Sequence, residues 1–255
     1  MKKIVTTLSL AALFAVSAQA DFARFEVGAG MWKADPSGSL ESNDPAENYD
    51  ASAELGYDEE NTNYVWVLFK HPVPVIPNIR LEYTDLSFSG ALPGNVIWDG
   101  NTFDTNGDST LNLKQYDATL YYNLLDNTAW TTLDLGLDFK YIDAAFTLHD
   151  PDLPANQQIN ESENLVVPMA YLRARVEVPA TDLAVEGDIK YIGYNDSKFY
   201  DARIKLDYTL DFVPVVQPAL EVGYRVQKLK IDEDDFDVKA DIDFSGLYAG
   251  LMLRF

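Results

Sequence analysis

The chain has 255 residues, with 19 Lys plus Arg against 41 Asp plus Glu, for a formal charge of -22. So acidic a surface repels nucleic acid and favours cations. The absence of cysteine excludes a thiol nucleophile, a disulfide framework and a thiolate metal site. Length alone permits one or two domains.

At the start, Met1, Lys2 and Lys3 precede an apolar run over residues 4–16, and Ser17, Ala18, Gln19 and Ala20 supply small residues at Ala-x-Ala positions. This is the pattern of a secretory signal peptide over residues 1–20. Cleavage after Ala20 leaves one domain, residues 21–255, and takes the charge from -22 to -24 because Lys2 and Lys3 leave with the leader. No later run approaches the roughly 18 to 20 apolar residues of a membrane helix. Any further crossing must therefore be made of strands.

The first predicted strand covers residues 22–33, where Ala23, Phe25, Val27, Ala29 and Met31 alternate with Arg24, Glu26, Gly28, Gly30 and Trp32. The acidic stretch 34–63, with Pro36, Gly38, Pro45 and Gly56, reads as a long outward loop in which residues 49–57 form either a short strand or a helical lid. The second strand, 63–69, has Trp66 near its outer end. Pro72, Pro74 and Pro77 then force an inner turn, since proline lacks a ladder donor. In the third, Ile79, Leu81 and Tyr83 face outward beside inward Arg80, Glu82 and Thr84, before a loop over 89–110 that holds Trp98.

The fourth strand, 111–123, sets Tyr116, Ala118, Leu120 and Tyr122 against Gln115, Asp117 and Thr119, and a turn at Asp126 and Asn127 follows. In the fifth, Leu133, Leu135, Leu137, Phe139 and Tyr141 oppose Asp134, Gly136, Asp138 and Lys140. A third long loop is expected over 144–164, carrying His149, Pro151 and Pro154. The sixth strand opposes Arg173, Arg175 and Glu177 to a row that includes Pro168, where a bulge or the outer limit of regular pairing is expected. The seventh and eighth, around Val185 to Tyr191 and Tyr200 to Tyr208, are joined by a tight turn at Asn195, Asp196 and Ser197. The ninth carries Leu220, Val222 and Tyr224 and ends in the acidic turn Asp232, Glu233, Asp234 and Asp235. The tenth alternates Leu247, Ala249, Leu251 and Leu253 with Gly246, Tyr248, Gly250 and Arg254 and ends on Phe255.

A two-residue period with one apolar row is also found in a secreted sandwich or soluble ligand-binding barrel, with that row facing inward. Here the opposite row repeatedly carries both charge signs, which suits a lumen, and the turns divide into a short set and a long set, as on the two sides of a membrane. The prediction is an all-β fold: a transmembrane antiparallel barrel of ten strands. Aromatic residues near strand ends, among them Trp32, Trp66, Tyr122, Trp130, Tyr141, Tyr191, Tyr200 and Phe212, are expected to form two interfacial girdles.

Gly28-Ala-Gly-Met-Trp32, Asp35-Pro-Ser-Gly38, Tyr64-Val-Trp66, Phe69-Lys-His-Pro-Val-Pro74, Pro77-Asn-Ile-Arg-Leu-Glu-Tyr-Thr84 and the terminal Phe255 together resemble a family of small, mostly uncharacterised bacterial outer-membrane beta-barrel proteins. The resemblance covers nearly all of residues 21–255. It implies this fold, an outer-membrane location, and a terminal Phe that serves as assembly signal. It implies no reaction, and no functional residue is carried over.

Catalytic, cofactor and metal sites are not expected. His149 with Asp150 lacks a second rim histidine, and the Ser residues lack a paired base in any recognisable order. Asp104, Asn106 and Asp108 offer alternate oxygen ligands, but Ser109 and Gln115 stand where an EF-hand needs Gly and Glu. Two functional readings remain. A non-enzymatic, monomeric barrel with a structural or surface-interaction role uses the mixed charges as a satisfied network. A narrow cation-preferring channel uses the same groups to line a water path. The expected partners are outer-membrane lipids, periplasmic chaperones and barrel-assembly machinery during biogenesis, and an unidentified surface partner or small cation.

Overall fold

The computed structural model describes residues 23–41, 48–73, 75–210, 216–231 and 239–255. The leader, Phe212 and the acidic turn 232–235 lie outside these. Thirteen strands follow in chain order: β1 (Arg24–Glu41), β2 (Asn48–Asp50), β3 (Glu60–Lys70), β4 (Asn78–Ala91), β5 (Val96–Trp98), β6 (Asn101–Phe103), β7 (Asp108–Thr128), β8 (Thr131–His149), β9 (Ile159–Glu177), β10 (Leu183–Tyr194), β11 (Ser197–Thr209), β12 (Gln217–Ile231) and β13 (Lys239–Arg254). Ten of them, all but β2, β5 and β6, pair antiparallel in the order β1-β3-β4-β7-β8-β9-β10-β11-β12-β13, and β13 pairs back to β1. The expected ten-stranded closed barrel is thus found. Closure removes every sheet edge that would meet lipid.

The stagger can be followed rung by rung. From Phe25 the paired residues run through Phe69, Ile79, Leu120, Leu137, Ala170, Tyr191, Tyr200, Lys228 and Asp243, and they return to β1 at Ser37. The circuit climbs twelve residues along the strand, from Phe25 to Ser37. Such a shear tilts the strands and sets a bore only slightly wider than that of an eight-stranded, side-chain-filled barrel.

Along the membrane-facing wall the predicted alternation holds. Leu135, Leu137, Phe139 and Tyr141 are exposed, while Asp134, Asp138 and Lys140 are fully buried. Above that wall the strands continue, and the chemistry of the two faces exchanges. On β4, Tyr83 outside and Thr84 inside give way to half-exposed Asp85 outside and buried Leu86 and Phe88 inside. On β7, Gln115 inside gives way to Leu113 and Leu111, with Lys114 outside; on β8, Lys140 gives way to Ile142, Phe146 and Leu148. The period stays at two while its phase inverts, because the surroundings change from lipid to water. Tyr83, Tyr116 and Tyr141 sit at the exchange, their rings 4.9 and 6.0 Å apart in succession, and mark the outer interface as an aromatic girdle does.

This inversion corrects the expected loops. Residues 34–41 are strand, β8 runs to His149, and β9 begins at Ile159, leaving only residues 150–158 of the third loop. Over residues 49–57 the structure has a short strand followed by a turn, not a helix. β2 pairs with the top of β1, and then the Glu54 and Leu55 amides donate to the Asp50 carbonyl in a tight turn. The turn after β7 lies at Ala129 and Trp130, both at positive φ, beyond two register shifts rather than at Asp126 and Asn127. Pro168 makes no bulge. It pairs in register with Phe139, and it falls just past the last β9–β10 rung, Ala170 with Tyr191. Pro36 likewise falls past the last β1–β3 rung at Ala34. Each proline sits where its strand has lost one neighbour, so no ladder bond is forfeited.

Trp32 and Trp66 are corrections of another kind. Both were expected in a girdle, and both are buried in the lumen. Glycine makes room for Trp66: Gly28 pairs with it across β1 and β3, and a Cβ there would meet the indole at 2.5 Å. The Trp66 ring packs under the Arg80 guanidinium at 4.2 Å, and Trp32 under that of Arg225 at 4.7 Å. Tyr122, Trp130, Tyr141 and Tyr191 are exposed on the outer wall, as expected.

Candidate functional site

The inward row brings Arg24, Arg80, Lys140, Arg173, Arg175, Lys190, Arg203, Lys205, Arg225 and Arg254 together with Glu26, Glu82, Asp117, Asp134, Asp138, Glu186, Asp188, Asp201, Asp207 and Glu221. The two sets are equal in number, so these twenty inward groups of the described residues are together formally neutral. Glu177, also expected inside, stands at the rim with 41% of its side chain exposed.

Near the periplasmic end, Nε of both Arg24 and Arg254 donates to Glu26 Oε1, at 2.7 and 2.6 Å. Arg173 bridges Asp134 and Glu186, each at 2.6 Å, and Arg175 bridges Glu186 and Asp207. At mid-height Glu82 receives Arg80 at 3.0 Å, Arg203 at 2.7 Å and Arg225 at 3.2 Å. β4 and β11 stand on opposite sides of the barrel, so the Arg203–Glu82 pair spans the bore. Higher still, Asp117 lies between Lys140 at 2.8 Å and Lys190 at 2.6 Å, and Asp201 joins Lys140 to Arg225. Burying so many charges is tolerable only because nearly every one has partners in charge-assisted hydrogen bonds.

Above the charges the bore is filled by apolar side chains. Phe88 and Phe244 stack with ring centroids 5.3 Å apart, Tyr57 packs on Phe88, and Trp98 packs on Phe146 at 4.7 Å. The outer loops supply much of this cap, with Ala51, Leu55 and Tyr57 from the first and Leu92, Val96, Trp98 and Phe103 from the second all buried. Two glycines allow the first loop to touch the wall. Gly56 takes a positive φ of 74°, and a Cβ on Gly90 would lie 2.1 Å from the Gly56 carbonyl oxygen. Ser109 Oγ donates to the Leu55 carbonyl beside them, at 2.5 Å. Burial raises the Tyr57 hydroxyl well above its ordinary pKa and keeps it neutral.

The oxygen-rich sequence Asp104 to Asp108 is divided by the fold. Asp104 approaches Asp150 and Asp152, with one carboxylate oxygen of each within 4.8 Å of the others, whereas Asp108 pairs across the ladder with His149. The Asp150 oxygens accept from the Asp104 and Asp152 amides at 3.0 and 2.9 Å. Those two amide donors hold the Asp150 carboxyl below the usual carboxylate range. The cluster thus ties the second outer loop to the third. Sequence spacing could not show this contact, since its partners are 46 residues apart.

The histidines lie on opposite sides of the membrane. His71 bonds to the Pro77 carbonyl and accepts from the Val73 amide in the inner turn. His149 is exposed at the outer end of β8 and makes no hydrogen bond to a carboxylate among the described residues.

No family model matches the chain, and no curated protein matches it. The outer membrane protease OmpT of Escherichia coli superposes with a TM-score of 0.51 at 11% identity, over 94% of this chain and 99% of that one. The attachment invasion locus protein Ail of Yersinia pestis gives 0.37 at 8% identity, over 92% and 99%. OprG of Pseudomonas aeruginosa gives 0.35 at 13% identity, over 92% and 96%. The likeness to the protease is one of fold alone, and the two weaker ones carry no inference. With its apolar outer wall, its girdle at the phase inversion and its closed ladder, the chain is a transmembrane β-barrel of the Gram-negative outer membrane.

Proposed function

We propose that this protein is a non-enzymatic outer-membrane barrel with a structural or surface-interaction role, made from residues 21–255 after removal of the leader 1–20. The observation that carries this reading is double closure of the bore: ion pairs across its middle, and aromatic packing above them. The polar upper wall and the compact outer loops then remain as the surface available to a partner. A cation-preferring channel needs a continuous water path, and the Arg203–Glu82 bridge and the Phe88–Phe244 stack both stand in it.

Planar-bilayer recording of the mature protein tests the choice. No resolved conductance is expected at neutral pH and moderate salt; stable unitary steps in pure protein would replace this reading with the channel. Mass spectrometry of outer-membrane fractions is expected to find Asp21 as the mature N-terminus, and residues 4–16 retained there would contradict the processing.

A further inference from the structure

The ladder opens at and above the girdle, beside β9. This strand pairs with β8 from Val176 opposite Thr131 up to Ile159 opposite Leu148, but its rungs with β10 stop at Ala170 and Tyr191. β10 itself ends at Tyr194, and the chain turns back through Asn195 and Asp196 into β11. Above the girdle rung of Tyr141 with Val166, β9 therefore has one neighbour. Alternate residues there turn backbone N–H and C=O groups to a side where no described residue pairs with them. β1 and β4 also outlast a neighbour, and both are covered. β1 above Ala34 receives β2 over residues 39–41 and the Ala51 amide at the Gly38 carbonyl. β4 above Asp85 has the Leu55 and Gly56 backbone of the first outer loop against Gly90. Only at β9 is the edge left open among the described residues.

The two faces beside this edge differ. On the outward row Ser162 and Asn164 are polar and exposed. On the inward row Leu165 is partly buried against the apolar cap, as is Ile192 at the top of β10, and Glu163 stands exposed. Tyr194 follows on the row of buried Lys190, yet it is 66% exposed because the wall stops beside it. Free backbone donors and acceptors that repeat every second residue are matched by another extended polypeptide, which carries the same groups at the same spacing. We propose that the upper edge of β9 docks an extended segment of a partner protein, added as a strand in the place that β10 leaves empty above Tyr194. The inner row of that segment is apolar against Leu165 and Ile192 and carries a basic residue opposite Glu163; its outer row is polar. An overall charge of -22 favours the same cationic partner. Pro168, which has no N–H to offer, marks the lower limit of the edge and keeps an added strand out of the membrane-embedded ladder. The inference rests on the surface-interaction reading and gives its partner a chemistry.

The test uses the mature barrel refolded in neutral detergent and, as probe, a short end-blocked fluorescent peptide of alternating Val and Thr with one Lys in the Val row. Binding is read by fluorescence polarisation and by amide hydrogen exchange. The peptide is expected to bind and to slow exchange within residues 160–167, while the same peptide N-methylated at alternate amides does neither. Ser162→Pro should weaken binding by about tenfold, the worth of one backbone hydrogen bond. The β8 ladder should survive it, because Ser162 shares the row of Pro168, which pairs in register with Phe139. Glu163→Lys, which leaves the backbone alone, should also weaken binding and should shift preference to a peptide with Asp in place of Lys. Lys114→Gln, an exposed change elsewhere on the outer wall, should leave binding unchanged. No protection of residues 160–167 at peptide concentrations up to about 1 mM, or equal binding of the N-methylated peptide, would overturn the site. Protection of the same amides that grows with barrel concentration, without peptide, would assign the edge to a second copy and overturn the partner-strand form. Bilayer recording separates the two readings: a silent barrel whose edge takes no strand loses this inference alone, whereas a conducting barrel loses the surface-interaction reading whatever its edge binds.

Discussion

Glu82 shows how much a single side chain can hold in this lumen. It has no exposed side-chain surface and receives three arginines from three different strands, β4, β11 and β12. Its removal leaves cations buried without compensation, a change that costs about 3–5 kcal/mol when a buried pair is broken. Glu82→Ala is therefore expected to lower stability by that order in urea titrations of vesicle-refolded protein, with Glu82→Gln intermediate. Lys33→Ala breaks only the Lys33–Glu59 pair, whose side chains are 52% and 53% exposed. It should shift the same transition by less than about 0.5 kcal/mol. Equal effects of the Glu82 and Lys33 variants would contradict the network. Asp150 provides a pH test at the same scale. Its folded pKa is depressed by the Asp104 and Asp152 amides, so its contribution is present above the unfolded value of about 3.9 and is lost as pH falls through the folded one. The protection factors of the Asp104 and Asp152 amides, with the intrinsic pH dependence of exchange divided out, should hold at neutral pH and fall only below about pH 4. A fall in protection between pH 6 and 8 would point to a histidine instead.

Each long strand is two strands in chemical terms, joined at the girdle. On β8 the lower half turns Leu135, Leu137 and Phe139 to lipid, and the upper half turns Ile142, Phe146 and Leu148 inward. The same class of substitution should therefore act in opposite ways on the two halves. Leu137→Arg places a charge on the lipid face and is expected to cost about 2–4 kcal/mol if the site is near the bilayer midplane. Thr147→Arg, on the outward row above the girdle, should be nearly neutral because that row faces water. Comparable losses of folded barrel in the two variants, read by heat-modifiable gel mobility, would mean that the girdle is misplaced.

At the scale of the whole molecule, the closed bore has two independent parts. Phe88→Ala combined with Phe244→Ala removes the stacked pair from the cap and should cost several kcal/mol through the cavities left behind. It should not produce conductance, because the ion pairs across the bore remain in place beneath it. Single-channel steps from the double variant would show that the apolar cap alone closes the path. Between the cap and the network lies the change of solvent that organises the barrel: lipid outside requires polar groups inside, and water outside allows an apolar core.

Much of this was legible in the sequence. A residue's parity along a strand depends on the backbone alone, so Tyr83 outside and Glu82 inside, or Leu137 outside and Asp138 inside, followed from alternation. The number of strands followed from the turns. Three things did not follow: that the strands outlast the membrane, that Trp32 and Trp66 pack in the lumen rather than in a girdle, and that Asp104 meets Asp150. The strands were cut short because the phase inversion at Asp85, Lys114 and Asp143 resembles the end of a pattern when the solvent on each side is unknown. The tryptophans depend on Gly28 and on Arg80 and Arg225 of other strands, and Asp150 lies 46 residues from its partner. The sequence by itself determined that successive residues of a strand alternate between the two sides of the wall, because pleating is local. Only the tertiary structure decided what each residue meets there, because the shear of the closed barrel sets the height at which distant strands bring their side chains together.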